Sequence, residues 1–176
     1  MKRFTESLRS SVRNRDWYTA LTSALTLPDV CGRLATPEKK SSVRYPAWFQ
    51  QWLAPAYTFE MSRGVRCFLS GDDCYALRCS YLHEGGSDIS GQAAQKALDN
   101  FHFVSPIPGS VVHKNLIDNT LQLQVDLFCL EMADAVDRWA GSVANDPDIQ
   151  SRMKSLLIIH SSVPEHAIYT GPHPEE

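Results

Sequence analysis

Apolar residues recur every three or four positions along most of this chain, the spacing that places side chains on one face of a helix. In residues 4–27 the spacing predicts one or two helices, with Asp16 as the N-cap of the second and Pro28 breaking or kinking its end. Residues 33–45 are polar and predict a loop. Residues 45–53 carry two tryptophans and a phenylalanine on one side and Pro46 at a favourable first-turn position, which predicts a short helix packed in the core.

The longest apolar stripe lies in the second half of the chain. Its members step by three or four residues, which predicts a helix of about six turns that ends at Gly141. A competing interpretation takes the alternation from Leu121 to Leu127 as a strand, but the helical period covers more residues. Asp146 and Pro147 then predict the start of another helix. The stripe consists of Ile117, Leu121, Val125, Phe128, Met132, Ala135 and Trp139.

A β-hairpin is predicted between these helical regions. Residues 101–104 and 111–114 are rich in phenylalanine and valine, and they flank a loop that contains proline and glycine. If the two segments pair across this loop, His102 lies opposite His113. A further short helix is predicted at residues 91–98.

These elements predict an all-α fold. We expect one helical domain over residues 1–160, with a small β-hairpin insertion at about 101–114. Three prolines among the last dozen or so residues favour an extended or disordered tail over residues 161–176.

The segment from Ser70 to Gly86 carries the most specific local signals. Ser70 is suited to cap the amino terminus of a helix, and Asp72 and Asp73 complement the positive end of its dipole. Gly85 and Gly86 favour a helix end, because glycine adopts the left-handed conformation without a steric penalty. A helix over about residues 71–83 is therefore predicted.

This helix contains the segment YALRCSYLHEGG, in which Arg78 and His83 are separated by four residues. Here the sequence resembles the HEPN superfamily, whose motif is often Tyr-x-Leu-Arg-x(4)-His-Gly. The resemblance covers about a dozen residues: Tyr75, Leu77, Arg78 and His83 match, and Glu84 displaces the glycines by one position. Active members often carry Asn, Asp or His after the arginine, whereas this chain has Cys79.

The resemblance implies a HEPN-like helical bundle and a metal-independent endoribonuclease without a cofactor, acting as a toxin or antiviral defence effector. Arg78 and His83 would be the catalytic residues, RNA the substrate, and a regulator or antitoxin protein a partner. The residue types suit this chemistry, since histidine exchanges protons near neutral pH and arginine stabilises charge on phosphate oxygens. The alternative is a non-catalytic HEPN-like binding or scaffold module.

The spacing of the two residues bears on how they could act together. Five positions along a regular helix turn through about 500°, so the side chains point about 140° apart. They could converge only if the helix unwinds at His83 or if a second copy contributes its own motif. A homodimer is therefore expected. In a third interpretation the domain is unrelated, and Arg78 only pairs with Asp72 or Asp73.

Composition narrows the classes of protein to which the chain could belong. The longest apolar run has four residues, and no apolar signal segment is present at the amino terminus, so a cytoplasmic protein without a membrane segment is expected. The net charge is −3, which argues against a broad nucleic-acid-binding surface. The five cysteines form no C-x-x-C pair and are expected to be reduced core thiols. His102 and His113 alone do not make a metal site.

Overall fold

The computed structural model describes residues 1–62 and 64–159, which contain six α-helices and five short strands. A 3₁₀ turn, Ala54–Tyr57, connects the third helix to the first strand. The helices are α1 (Lys2–Arg13), α2 (Trp17–Ala35), α3 (Ser41–Trp52), α4 (Gly71–Glu84), α5 (Val125–Ser142) and α6 (Pro147–Lys154). The strands are β1 (Thr58–Met61), β2 (Gly64–Cys67), β3 (Asn100–Val104), β4 (Asn115–Ile117) and β5 (Thr120–Gln124).

Helix α2 lies at the centre of the helical layer and contacts each of the other five helices. Its buried residues include Leu21, Leu25 and Leu34, and they pack against aromatic and aliphatic side chains of α3 and α5. Burial of this many apolar side chains, at roughly 1.5–3 kcal/mol each, is the main contribution to stability. The largest fully buried side chains include Tyr45, Tyr57, Phe49, Phe128, Leu8 and Leu53.

The prediction of an all-α fold is wrong, because the described residues form two small sheets as well as the helices. Strands β1 and β2 form an antiparallel pair in which most side chains are exposed. The other sheet has three strands in the order β3-β5-β4, with β5 parallel to β3 and antiparallel to β4. The fold is therefore mixed α and β.

The predicted hairpin of residues 101–104 and 111–114 does not form. Strand β3 pairs with β5, so that His102 lies opposite Gln122. His113 lies outside the strands and contacts Glu131 of α5 instead. The hairpin prediction failed because local alternation identifies a strand but not its partner, which here is about twenty residues away in the sequence.

The long helix predicted from Ile117 is also shorter than expected. Residues 120–124 form β5, as the competing interpretation proposed, and α5 begins only at Val125. Leu121 and Leu123 are fully buried, because β5 is the central strand of its sheet. The helix continues through Gly141 to Ser142.

The short helix predicted at residues 91–98 is replaced by turns. The side chain of Asp73, which is 1% exposed, accepts hydrogen bonds from three consecutive backbone amides. These amides belong to Lys96, Ala97 and Leu98, at 2.8, 3.1 and 3.5 Å. Since a buried carboxylate satisfies the amides, this segment does not need a helix to pair them.

The helix ends predicted from two prolines are wrong. Helix α2 passes through Pro28 and ends at Ala35, since its buried stripe extends to Cys31 and Leu34. Helix α3 begins at Ser41, so Pro46 lies within it rather than in its first turn. In both helices, burial of apolar side chains outweighs the hydrogen bond that proline cannot donate.

Other local signals are confirmed. The Asp16 carboxylate accepts from the amide of Thr19, and the Ser70 hydroxyl accepts from the amide of Asp73. Gly85 has φ 71° and ends α4 in the left-handed conformation. The core helix around Trp48 and the final helix that begins after Asp146 are present as well.

The cysteines are all free thiols, in two environments. Cys31, Cys74 and Cys129 are buried as predicted, and burial raises the pKa of Cys74 and of Cys129 to about 12. Cys79 is half-buried and Cys67 is exposed, contrary to the prediction of a core position. In the part of the chain that the structure describes, no helix combines the length and hydrophobicity needed to cross a bilayer.

Glu131 of α5 is the centre of a polar cluster that joins the 3₁₀ turn to the segment before β4. It accepts from the Tyr57 hydroxyl at 2.6 Å and from the Lys114 ammonium at 2.6 Å, and His113 Nε2 lies 3.3 Å away. His113 Nδ1 accepts from the amide of Gln124, which assigns the proton of a neutral ring to Nε2. Burial acts to raise the pKa of Glu131, but the three hydrogen bonds outweigh it and lower the pKa below its ordinary value.

Replacing Asp73 by alanine should destabilise the protein strongly, because it leaves the amides of residues 96–98 without their acceptor. We expect the free energy of unfolding to fall by about 2–4 kcal/mol. Asp72→Ala is the matched control, because it removes only a carboxylate near the helix dipole and should cost less than about 1 kcal/mol. Urea denaturation of both variants measures the difference, and equal losses would contradict the role of Asp73.

Glu131→Gln should change how stability depends on pH. A carboxylate with a lowered pKa stabilises the fold above its unfolded pKa, and this contribution disappears as the pH falls through its folded pKa. Wild type should therefore be more stable than Glu131→Gln at neutral pH, and the difference should shrink below about pH 4.5. Denaturant titrations across this range measure it. A difference that stays constant would show that the ionised form is not favoured by the fold.

Candidate functional site

Helix α4 positions both residues of the predicted catalytic pair. Its first turn is fixed by the Ser70 cap, and its last turn ends at Gly85, whose amide donates to the carbonyl of Tyr81. Between these ends, Ala76 and Leu77 are buried against the core. The helix is regular through Glu84, so Arg78 and His83 both lie on helical backbone.

Arg78 points towards α2 and α3 and is half-buried. Its Nη2 lies 3.9 Å from the carboxylate of Asp29, which is an ion pair but too long for a hydrogen bond. Its Nη1 lies 4.0 Å from the sulfur of Cys79, and its Nε is buried without a hydrogen-bond partner among the described residues. The guanidinium is thus held near a carboxylate while its donors make no strong hydrogen bond within that part of the chain.

Asp29 uses its carboxylate mainly on α3. One oxygen accepts from the Ser41 hydroxyl at 2.8 Å and from Arg44 Nε at 2.9 Å. Arg44 also donates from Nη1 to the carbonyl of Lys39 at 2.7 Å. We call Asp29, Ser41, Arg44 and Arg78 the Asp29 cluster, which contains two guanidinium groups and one carboxylate and therefore carries a net positive charge.

Two glycines allow the helices to approach closely enough to form this cluster. A Cβ on Gly32 would lie 3.0 Å from the carbonyl oxygen of Arg44, so α2 and α3 are in backbone contact here. A Cβ on Gly71 would lie 2.4 Å from the carbonyl oxygen of Pro46, which is closer than atoms can pack. Glycine at both positions therefore holds α2, α3 and α4 together around Asp29 and Arg78.

Tyr75 and Cys79 border the cluster on α4, one turn apart. Burial raises the pKa of Tyr75, and the neighbouring Cys79 thiol raises it further. The phenol therefore stays neutral at physiological pH and can donate a hydrogen bond. Tyr75 also lies near the ring of Tyr45, with their centroids 5.4 Å apart.

His83 is exposed in the last turn of α4, away from the Asp29 cluster. Because the helix stays regular through Glu84, the angle of about 140° between His83 and Arg78 is retained. A single chain therefore does not bring the two side chains onto one phosphate. Of the two routes to convergence, unwinding of the helix at His83 does not occur, which leaves a second copy.

The pairing of Arg78 with Asp72 or Asp73 does not occur either, since Arg78 contacts Asp29. Asp29 and Arg44 are the residues that sequence reasoning missed. Asp29 is 49 positions before Arg78, and no motif or spacing connects them. No local pattern in the sequence therefore indicated their contact with Arg78.

No metal centre accompanies the site. Within residues 1–62 and 64–159, no group of three or more histidine, cysteine or carboxylate side chains lies close enough to hold a metal ion. His102 contacts Gln122, and His113 contacts Glu131. The possibility that the two histidines share a metal is therefore not supported.

Comparison with known proteins adds no family: no protein-family model matches the chain, and neither a curated protein nor a solved structure is significantly similar to it. The function of this chain is therefore inferred from the motif around Arg78 and from the contacts of its residues.

The two arginines of the Asp29 cluster should differ in what they contribute to stability. Arg44 makes two good hydrogen bonds, so Arg44→Ala should lower the free energy of unfolding by about 2 kcal/mol. Arg78 makes only the longer contact with Asp29, so Arg78→Ala should cost less than about 1 kcal/mol. Thermal and urea denaturation of the two variants measure this order. The reverse order would mean that Arg78 is mainly a structural residue.

Proposed function

We propose that this chain is a HEPN-like, metal-independent endoribonuclease whose active site is completed by a second copy of the chain. The observation that carries the proposal is the state of Arg78. Its guanidinium lies at the edge of a net positive cluster, partly exposed, and makes no strong hydrogen bond to the described residues. A cation with unused planar donors is suited to bind phosphate oxygens.

His83 supplies the complementary chemistry. Its imidazole is exposed in the last turn of α4, where RNA or a second copy can reach it. In the proposed reaction it takes the proton from a ribose 2′-hydroxyl, whose oxygen attacks the adjacent phosphorus. The bond to the 5′-oxygen breaks, the leaving oxygen takes a proton from water, and His83 returns its proton to the solvent, so the products are a 2′,3′-cyclic phosphate and a 5′-hydroxyl. Arg78 stabilises the negative charge that develops on the non-bridging oxygens.

The requirement for two copies follows from the helix geometry. Arg78 and His83 of one chain face different directions, so a phosphate held by Arg78 is served by His83 of the other chain. A two-fold axis beside α4 creates two equivalent sites of this kind. Each site then contains one Arg78 and one His83 from different chains.

Asp29 has a supporting role in this mechanism. Its carboxylate lies 3.9 Å from Arg78 Nη2, so it attracts the guanidinium to one side without occupying its donors. Arg44 compensates part of the negative charge of Asp29 through a 2.9 Å hydrogen bond. The net positive charge that remains favours an anionic ligand such as a phosphate.

The second candidate is a non-catalytic binding module that uses the same cluster. The observation that favours it is Cys79, which follows Arg78 where active HEPN proteins often carry a strong hydrogen-bonding residue. A thiol is a weak donor and acceptor, so it adds little to the binding of a phosphate. This module predicts binding without cleavage at every protein concentration.

Cleavage of RNA in the presence of EDTA should depend on both residues. Wild type should cleave, and Arg78→Ala and His83→Ala should each reduce kcat by about 100-fold or more. Arg13→Ala is the matched control, because it removes an exposed arginine from the end of α1, away from the cluster. The decisive experiment mixes the two inactive variants.

A heterodimer of Arg78→Ala and His83→Ala contains one site in which both residues are intact. Mixing should therefore restore activity to about a quarter of the wild-type level, since about half of the dimers are mixed and each has one intact site of two. Cleavage by either variant alone at the wild-type rate would refute the assignment of the residues. Wild type that binds but never cleaves would favour the non-catalytic module.

A further inference from the structure

Three adjoining cavities form one groove along the amino-terminal end of α2. The middle cavity has a volume of about 220 Å³ and shares Trp17 with one neighbour and Tyr18 with the other. The neighbouring cavities have volumes of about 330 and 270 Å³. The groove runs from Pro108 at one end to Gly85, at the end of α4, at the other. We call it the aromatic groove.

Aromatic rings from three elements form its walls. Trp17 and Tyr18 come from α2, Tyr81 from α4 and Phe103 from β3. Tyr18 is 79% exposed, so its ring contributes little to the core and presents a free face to the solvent. Exposed rings beside a cleft are suited to stack on flat ligands, and successive nucleobases are such ligands.

The described residues that line the groove include one cation and no carboxylate, which favours an anionic ligand over a cationic one. The chain has 20 acidic residues, yet no carboxylate is among the described residues that line the three cavities. Arg15 lines one end and His102 the other. Asp16, beside Arg15, uses its carboxylate to cap α2 by accepting from the amide of Thr19.

Arg15 also has an unusual backbone. Its φ is 57°, in the left-handed region where glycine or asparagine would be less strained. The connection between α1 and α2 therefore carries a strained residue with a cationic side chain at the end of the groove. A glycine would make the same turn with less strain but without the positive charge.

The groove leads towards the Asp29 cluster. Tyr81 lies three positions after Arg78 on α4, which places the two side chains about 60° apart and less than one turn along the helix. On α2, Tyr18 and Asp29 lie eleven positions apart, about 16 Å along the helix. The groove and the cluster are therefore two parts of one surface along the junction of α2 and α4.

We infer that the aromatic groove binds unpaired bases of single-stranded RNA, with Tyr18 stacking on a base and Arg15 contacting a backbone phosphate. The inference deepens the proposed function, on which it rests, by assigning a base-binding site to residues beside the phosphate at Arg78. A base-paired helix does not fit, because its bases are stacked on one another and their faces are not available to Tyr18.

The test measures RNA binding by the full chain with His83→Ala, which prevents cleavage. The probes are a fluorescently labelled 12-nucleotide oligouridine and a 12-base-pair RNA duplex of mixed sequence. Adding Tyr18→Ala should weaken oligouridine binding at least about fivefold and leave duplex binding unchanged. Adding Arg15→Gly should weaken it and reduce its dependence on salt, while relieving backbone strain. Phe59→Ala, an exposed aromatic residue of β1 outside the groove, is the matched control and should bind normally.

Several outcomes would overturn the inference. The first two are an unchanged affinity of Tyr18→Ala for oligouridine and an equal loss of affinity in Phe59→Ala. The others are a parent protein that does not bind oligouridine, and a groove that binds a proline-rich peptide, another ligand of aromatic grooves, in place of oligouridine. The inference and the proposed function can fail separately. If Tyr18→Ala loses oligouridine binding while wild type cleaves no RNA, the groove binds RNA but the proposed ribonuclease activity is wrong. If wild type cleaves RNA and Tyr18→Ala cleaves it with the same KM, the ribonuclease proposal is supported and the role of the groove is wrong.

Discussion

The close packing of α3 against α2 and α4 is the contact on which the rest of the molecule depends. Gly32 brings the backbone of α2 to Arg44, and Gly71 brings the first turn of α4 to Pro46. A methyl group at Gly71 would force α4 away from α3, and one at Gly32 would require the backbone of Arg44 to move by a few tenths of an ångström. Since interiors are close-packed, such a shift would be transmitted to the rest of the core, and it would separate Asp29 from both arginines. The core and the candidate site therefore depend on the same two backbone contacts.

Sequence reasoning succeeded where the signal is contained in consecutive residues. The caps at Asp16 and Ser70 and the stop at Gly85 each involve a few neighbouring residues, and all three are present. It failed where distant segments decide the structure. Strand β5 is stabilised by β3, about twenty residues earlier, and this pairing overrides the helical period of its leucines. In the same way, Arg78 and His83 were identified as candidate site residues from their motif. Asp29 and Arg44 were identified only from the structure, because their contact depends on how α2, α3 and α4 pack.

The cluster around Glu131 and the Asp29 cluster differ in how completely their polar groups are paired. Glu131 receives three donors, and its partner Lys114 also donates to the carbonyl of Ala56. Every group in that cluster has a partner, so its contribution is to fix the segment before β4 against α5. Arg78 has the opposite character, with a buried Nε that has no partner in the described residues and an ion pair too long for a hydrogen bond. An incompletely satisfied cation that is partly exposed is the better candidate for a ligand site.

The directions of the side chains around α4 determine whether the proposed dimer would leave the aromatic groove accessible. At 100° for each residue, Tyr81 points about 60° from Arg78 on one side, and His83 points about 140° from it on the other. A second copy that approaches α4 between the directions of Arg78 and His83, on the side away from Tyr81, would therefore leave the aromatic groove open. If the two α4 helices run antiparallel across a two-fold axis, each His83 moves towards the Arg78 of its partner, since the residues are only about 7.5 Å apart along the axis. RNA would then lie with its bases in the groove of one chain and the phosphate to be cleaved between Arg78 of that chain and His83 of the other. The proposed dimer contact and the proposed base-binding groove would use different sides of one helix, so neither proposal excludes the other.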